Sequence, residues 1–389
     1  MSATVKPGKG KGKGIEEKAG AAGAGRGPRT GAGRRVTVVR APGGRSVRLD
    51  VPAVVAGLVL LAVALAAGVA LIGSGDYPMT PSEVIATLAG GGDPGQEFIV
   101  QDLRLPRVLV GLLVGAAFGI SGAVFQTVSR NPLGSPDVLG FAQGSSVGAL
   151  VAIVYFQAGT LAVAAGAVAG GVLTGAAIFL LAWKRGIHGY RFVLVGIGAG
   201  AMLYAMVLYL LTKANIVEAT RATTWMTGSL NGRDWDQFGP LAAVCAVLVP
   251  LLLFYGRPLR MLEMGDDAAS ALGVRVERVR IVVLLVAVVL VAAATAAAGP
   301  ISFVALTAPQ LARRMSLPRF LKGAGRGAPL PGPNLLLSAL MGAALLVTAD
   351  WAAQRLFGAD QLPVGVLTGV LGGGYLLWLL ATERKAGRV

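Results

Sequence analysis

Apolar residues run along this chain in long blocks separated by short polar intervals. A helix that crosses a bilayer needs about 20 predominantly apolar residues, and blocks of that kind lie near 51–73, 104–128, 138–156, 161–183, 190–212, 238–255, 279–298, 301–316, 334–356 and 362–381. The eighth is short and follows Gly299-Pro300, so a partial or tilted helix is expected there. The pattern predicts an all-α polytopic membrane protein of about ten transmembrane helices occupying residues 51–385.

One long polar interval interrupts the middle of the pattern. Tyr255–Arg280 holds Arg257, Arg260, Arg275, Arg278 and Arg280 together with Glu263, Asp266, Asp267 and Glu277, so it must lie in water at one membrane face. Gly265-Asp266-Asp267 reads as a helix start, because Asp carboxylates accept from the unpaired N–H groups of a first turn. Ala268–Leu272 continues as a short helical segment, and Gly273 is a natural stop before Val274. Such a helix, held between two spans, can be gripped by a soluble partner. On pattern alone, an ordinary solvated loop explains it as well.

Charge orients the spans. Residues 1–50 are low in complexity and carry twelve basic and three acidic residues, hence +9 of the formal +16. They read as a disordered basic cytoplasmic tail suited to anionic lipid headgroups rather than to nucleic acid. The tail is too long for a signal-peptide n-region and Val51–Ile72 too long for an h-region, so the first span is expected to be retained. With the tail inside, Lys184/Arg185/Arg191, the 256–280 loop, Arg313–Arg326 and the C-terminal Arg384, Lys385 and Arg388 all fall inside. The external interval 74–103 has five acidic residues and no basic one. Ten spans with both termini cytoplasmic satisfy the positive-inside rule.

Composition removes several chemistries. Only 14% of residues are charged and 57 are glycine, which suits helices that approach closely in lipid. The single cysteine, Cys245, and single histidine, His188, exclude a disulfide framework and a protein-built zinc site. No GxxxxGK[ST] motif is present, so ATP and its Mg2+, if they drive this protein, sit on another subunit. No nucleophile–base pair or metal cluster supports an enzyme, and no cofactor of its own is expected.

Helix-breaking motifs punctuate the spans. Arg104-Leu-Pro-Arg107 opens the second span externally, and Ser129-Arg-Asn131-Pro132-Leu-Gly-Ser135-Pro136-Asp137 follows its inner end, running on to Gly140. Asn131 and Asp137 can satisfy backbone groups freed by the two prolines, Asn131 as a helix cap. Further on stand Trp225-Met-Thr-Gly-Ser-Leu230, Gly299-Pro-Ile-Ser-Phe-Val-Ala-Leu-Thr-Ala-Pro309 and Gln361-Leu-Pro363-Val-Gly-Val.

In these motifs, in their order and spacing, the chain resembles the FecCD family of permease subunits from bacterial ABC importers for iron–siderophores, haem and cobalamin. The resemblance covers about residues 51–385 and is nearest to ferric-enterobactin permeases. It implies a ten-helix permease domain in the bacterial plasma membrane that supplies half of a transport path. The implied partners are an ABC ATPase dimer that binds ATP and Mg2+, an extracytoplasmic siderophore-binding protein and a second permease subunit, as a heterodimer. By position it implies that Gly265, Asp266, Asp267, Ala268, Ala271, Leu272, Gly273 and Val274 form the coupling helix received by the ATPase. Arg104, Arg107 and Arg355 match external arginines that meet acidic residues of the binding protein. Asn131, Pro132, Ser135, Pro136, Gly140, Gly299, Pro309 and Pro363 fall in structural or gate motifs. The family commonly has Gly at Ala305 and His at Gln310.

Outside the resemblance, Arg104 and Arg107 also suit interfacial anchors, with both side chains on one face about a turn apart. Asp350 lies inside an apolar span and calls for a structural partner or an ion site; Arg355, five residues on, faces it poorly. An ion-coupled secondary transporter is the rival class, with Asp350 as its one plausible acid. A same-family permease for haem or cobalamin is the rival cargo.

Overall fold

The computed structural model describes residues 36–40, 46–183, 189–316, 333–356 and 362–385. Strands β1 (Val36–Arg40) and β2 (Ser46–Asp50) pair antiparallel with Val36 opposite Asp50. This differs from the disordered tail expected through residue 50. The β-branched run Val36-Thr-Val-Val39 and the Gly43-Gly44 turn signal were masked by the low-complexity segment before them.

From Val51 the chain is helical. Helices α1 (Val51–Ile72), α2 (Pro81–Leu88) and α3 (Pro94–Glu97) lead through a π-helical turn, Phe98–Arg104, into α4 (Leu105–Ser129). Then come α5 (Phe141–Val154), α6 (Thr160–Ala182), α7 (Gly189–Lys213), α8 (Ile216–Met226) and α9 (Trp235–Phe254). Two short helices, α10 (Gly256–Leu262) and α11 (Asp266–Ala271), precede α12 (Val276–Ala298). The chain closes with α13 (Val304–Met315), α14 (Leu335–Leu356) and α15 (Val364–Lys385).

Among the described residues seven helices are long and apolar enough to span a membrane: α1, α4, α6, α7, α9, α12 and α14. The other three expected spans are shorter in their apolar part, which in α15 is Val364–Leu379. The third begins only after Gly140 turns the chain, and α13 has 12 residues, about 18 Å against a hydrocarbon core of about 30 Å. Their shortness leaves irregular backbone at membrane depth, which lipid does not tolerate unless protein covers it.

That cover comes from the centre of the bundle. In their most apolar stretches α4 and α12 are 78% buried, whereas α7 and α9 are 22% and 17% buried. Phe118, Phe125, Leu290 and Leu346 fill the core, while Leu58, Leu173, Met202 and Val247 face outward. Apolar residues on both sides of a helix are stable only where the outer side meets lipid.

Helices α4 and α14 meet backbone to backbone. A Cβ placed on Gly119 would lie 2.1 Å from Ser338 O, on Gly115 2.4 Å from Gly342 O, and on Gly342 2.0 Å from Gly115 O. The α5–α6 pair uses Gly144, Gly148, Gly166 and Gly170 in the same way. Small residues permit the close dispersion contacts that replace the hydrophobic effect between helices in lipid. Gly119→Val should therefore destabilise the fold by about 1–3 kcal/mol or more. Thermal unfolding in detergent micelles checks this, and a wild-type melting temperature would refute the seam.

Candidate coupling and docking sites

At the inner face, α10 and α11 form an elbow between α9 and α12. Gly265, at φ +114, makes the turn into α11. No side chain caps this helix, so the expected capping role of Asp266 and Asp267 is corrected. The Asp266 carboxylate turns away to Arg280, accepting at 2.8 and 3.0 Å, and to Arg130. Both guanidiniums compete more strongly for a carboxylate than backbone N–H groups do. The far end of α11 is closed as expected. Gly273, at φ +83, donates to Ser270 O at 2.9 Å, and Val274 donates to Ala269 O at 3.0 Å. These two bonds satisfy carbonyls that the helix leaves open.

The elbow is riveted to the long helices α4 and α12 and to the short helix α13. Arg130, in a left-handed conformation at the end of α4, also donates through Nε to Leu262 O at 3.2 Å. Arg280 belongs to α12 and is buried. A second rivet joins Glu263 to Arg313 of α13 at 2.9 Å, with Thr127 of α4 donating to the same carboxylate at 3.3 Å. Burial by itself would raise the Asp266 carboxyl, but the Arg280 hydrogen bonds and the charges of Arg280 and Arg130 outweigh it and hold Asp266 below its ordinary value. Burial pushes Glu263 up, and Arg313 offsets this only in part. On the outer side of the elbow Ala268, Ala271, Asp267 and Gly273 are exposed, and Leu272 and Met264 stand 59% and 60% exposed. These two large apolar side chains stand exposed in a charged loop and form a surface that a partner could cover.

The break after α4 is bound to α13 along its length. Gln126 donates to Leu306 O at 2.9 Å, Gln310 donates to Pro132 O at 2.7 Å, and Phe303 N donates to Asp137 at 3.1 Å. Tyr375 of α15 donates to Gln310 at 3.3 Å. Gln310 thus holds two segments through its amide, a task that a histidine could share. Pro309 leaves the Ala305 carbonyl without a helical donor, and this oxygen abuts Gly122, where a Cβ would lie 1.8 Å away. Asn131 accepts from Leu133 N at 2.9 Å, an Asx turn rather than the expected helix cap. Ser135 and Pro136 are buried beside it, and Gly140 packs on Gly200 of α7. Gly299 packs on the Trp225 carbonyl, and Pro363 directly precedes α15.

At the outer face the structure separates the arginines expected on one face. Arg104 ends the π-helical turn and donates to Ile72 O at 2.5 Å and Tyr77 O at 2.9 Å. Arg107 points to α14, where Asp350 receives it at 2.8 Å on both oxygens. Asp350 is 1% exposed, so a buried charge is neutralised there, and Arg107 is not free to meet a partner. The structural partner of Asp350 is Arg107, not Arg355. Arg355 donates to Ser74 at 3.2 Å and remains exposed. His188 and Gln361 lie outside the described residues.

A profile of the FecCD transport family matches residues 58–382. The chain belongs to the FecCD transport family. Over 328 residues it is 46% identical to the ferric enterobactin transport system permease protein FepG of Escherichia coli K12, covering 84% of this chain and 96% of FepG. It is 34% identical over 326 residues to the achromobactin transport system permease protein CbrC of Dickeya dadantii, covering 83% and 90% of the two chains. A solved inward-facing conformation of a metal-chelate type ABC transporter superposes with a TM-score of 0.72 at 26% identity, over 84% of this chain and 98% of that one. As a FecCD protein the chain is a multi-pass permease of a bacterial ABC importer, a transport component without catalysis of its own. Such a permease works with an ATPase and a binding protein.

Sequence reasoning missed most of the FecCD chain's polar rivets. Arg130, Glu263, Arg280 and Arg313 are ordinary loop charges by sequence, and only the fold brings them together. Breaking a buried ion pair from one side costs about 3–5 kcal/mol. Arg107→Ala should therefore lower the melting temperature sharply, whereas Arg107→Met with Asp350→Leu should recover most of the loss; equal melting of Arg107→Ala and wild type would refute the pairing. Asp266 titrates below its unfolded value of 3.8, so its contribution is complete above that value and is lost as pH falls through the folded value. Asp266→Asn should lower the melting temperature by the same margin at about pH 6 and about pH 8. A margin that changes between them would show that another group titrates in the pair.

Proposed function

We propose that this chain is one half of the transmembrane path of an importer for a ferric siderophore, of catecholate, enterobactin-like type. The observation that carries the reading is the elbow of α10 and α11. It offers exposed Leu272 and Met264 to the cytoplasm while its carboxylates grip α4, α12 and α13. A partner that moves the elbow moves those helices with it. Gly265, Asp266, Asp267, Ala268, Ala271, Leu272, Gly273 and Val274 would form the surface received by an ATPase dimer, which holds ATP and Mg2+.

The catecholate cargo is supported by the 46% identity to a ferric enterobactin permease protein. Outward-facing apolar surfaces of α7 and α15, including Tyr204, Met206, Val370 and Trp378, suit a second permease subunit, as a heterodimer. Arg355 and the partly exposed Arg104 are proposed to meet acidic residues of the binding protein. Arg107 acts beneath them, holding through Asp350 the end of α14 that carries Arg355. An ion-coupled mechanism finds less support, since Asp350 already has its countercharge.

Leu272→Asp and Ala271→Arg place charge on the receiving surface without touching either rivet. Both should abolish ATP hydrolysis stimulated by chelate-loaded binding protein in nanodiscs, while thermal melting stays that of wild type. Normal stimulation in both would remove this elbow from the mechanism.

A further inference from the structure

A cavity of about 480 Å3 opens at the outer face between the outer ends of α5, α6 and α12 and the segment from α8 to α9. Its polar lining is Arg221, Thr224 and Trp225 of α8, Ser229, Asn231 and Arg233 of the following loop, and Thr160 at the start of α6. Residues 221, 224 and 225 stand at the i, i+3, i+4 spacing that puts side chains on one helical face. Helix α8 is fixed by a capping box in which Asn215 accepts from Glu218 N at 2.9 Å and donates to the Glu218 carboxylate at 3.1 Å.

The loop is fixed too. Ser229 N donates to Ala298 O at 2.8 Å, Asn231 N to Ser229 Oγ at 3.1 Å, and Arg233 Nε to Ser229 O at 3.2 Å. Arg233, its Nε so engaged, lines the cavity. Among the described residues neither Arg221 nor Arg233 has a carboxylate within ion-pair distance. The acids nearest in sequence are occupied, Glu218 in the α8 box and Asp234 in capping α9, where it accepts from Asp236 N at 2.9 Å. The cavity therefore holds two positive charges and an indole, with neutral hydrogen-bonding groups between them and no acid in its lining.

The geometry points to a binding site for an anionic, aromatic metal chelate, in which Arg221 and Arg233 take the charged oxygens and Trp225 the ring of one arm. A ferric tris-catecholate fits this chemistry, because three dianionic catecholates around Fe3+ leave a net charge of −3 spread over the oxygens and aromatic edges. The inference rests on the proposed ferric-siderophore function and adds to it a receiving site and a charge preference. The volume lies in the range of small-molecule pockets, about 300–1,000 Å3. An acidic side chain of a docking protein would need only a flat surface, whereas Arg233 is recessed and Trp225 half-buried. Two arginines partly open to water hold a ligand loosely and salt-dependently, which suits a station that must release its cargo onward.

The test uses the assembled importer in nanodiscs, without binding protein, and radio-iron complexes of enterobactin and of a neutral trihydroxamate. The trianion should bind about tenfold more tightly than the neutral chelate, and the difference should shrink toward 1 M salt, where the screening length falls from about 10 Å to about 3 Å. Arg221→Gln/Arg233→Gln should weaken trianion binding about tenfold and leave trihydroxamate binding where it was; the double Lys variant should retain most of it. Arg221→Gln alone removes one charge from an exposed side chain and keeps the test valid if Arg233→Gln fails to fold. Trianion binding unchanged in the Gln variants, or no greater than to empty nanodiscs, in an importer that still takes up ferric enterobactin overturns the site and leaves the transport function standing. Failure of the complete wild-type system to take up any ferric catecholate overturns that function and the charge preference together. In a second arm with binding protein added, weakening confined to its association assigns the arginines to a protein carboxylate and also overturns the site.

Discussion

The short helix α13 depends on polar groups brought to both of its ends. It cannot cross the bilayer alone, and its flanking backbone lies where water is scarce. Asp137 therefore accepts from Phe303 N at the outer end, and Glu263 receives Arg313 at the inner end. Between them Gln126 and Gln310 tie it to the α4–α5 break. An unsatisfied backbone group at this depth costs several kcal/mol, so these bonds fix where the irregular segments lie. A helix held at both ends would shift as a unit, and its inner fastening is the α10–α11 elbow.

That elbow joins helices through charge without adding much stability. Asp266 is half exposed, so its pairs with Arg130 and Arg280 contribute less than buried ones would. Their value is directional: one carboxylate joins α4 to α12 through α11, and Glu263 joins α4 to α13 through the neighbouring turn. The glycine seam between α4 and α14 extends the rigid body to the outer face, where Arg107 closes on Asp350. On the proposed function, a push at Leu272 would reach helices with little room to deform separately, since close-packed interiors transmit strain.

Much of this was legible in the sequence, for reasons that also mark where reading stopped. The apolar blocks gave the helices because lipid imposes a length on them, and Gly273 gave the end of α11 because only a residue free to adopt positive φ closes it cheaply. The acidic pair at 266–267 misled, because the capping rule assumes that no better partner is near, and Arg280 lies fourteen residues on, across a turn. Arg104 and Arg107 misled in a related way. Helical spacing says which side chains share a face, but the π-helical turn ending at Arg104 changes the phase. Asp350 was visible as an anomaly, while its partner, 243 residues earlier, was not.

The outer arginines divide according to their surroundings. Arg104, Arg107 and Arg355 stand at helix ends beside apolar surface, and each is held by a carbonyl, a carboxylate or a hydroxyl. Arg221 and Arg233 sit on the α8–α9 segment, Arg221 in water and Arg233 recessed under the charge of Asp234, and among the described residues neither makes ion-pair contact with a carboxylate. A cation next to lipid must be paired for the fold to stand, so pairing there says nothing about transport. A cation beside a wet cavity is under no such demand. Without a carboxylate in ion-pair contact its charge stays available to a ligand, which is why, on this proposal, the external residues that bear on cargo are those whose charge ion pairing leaves open.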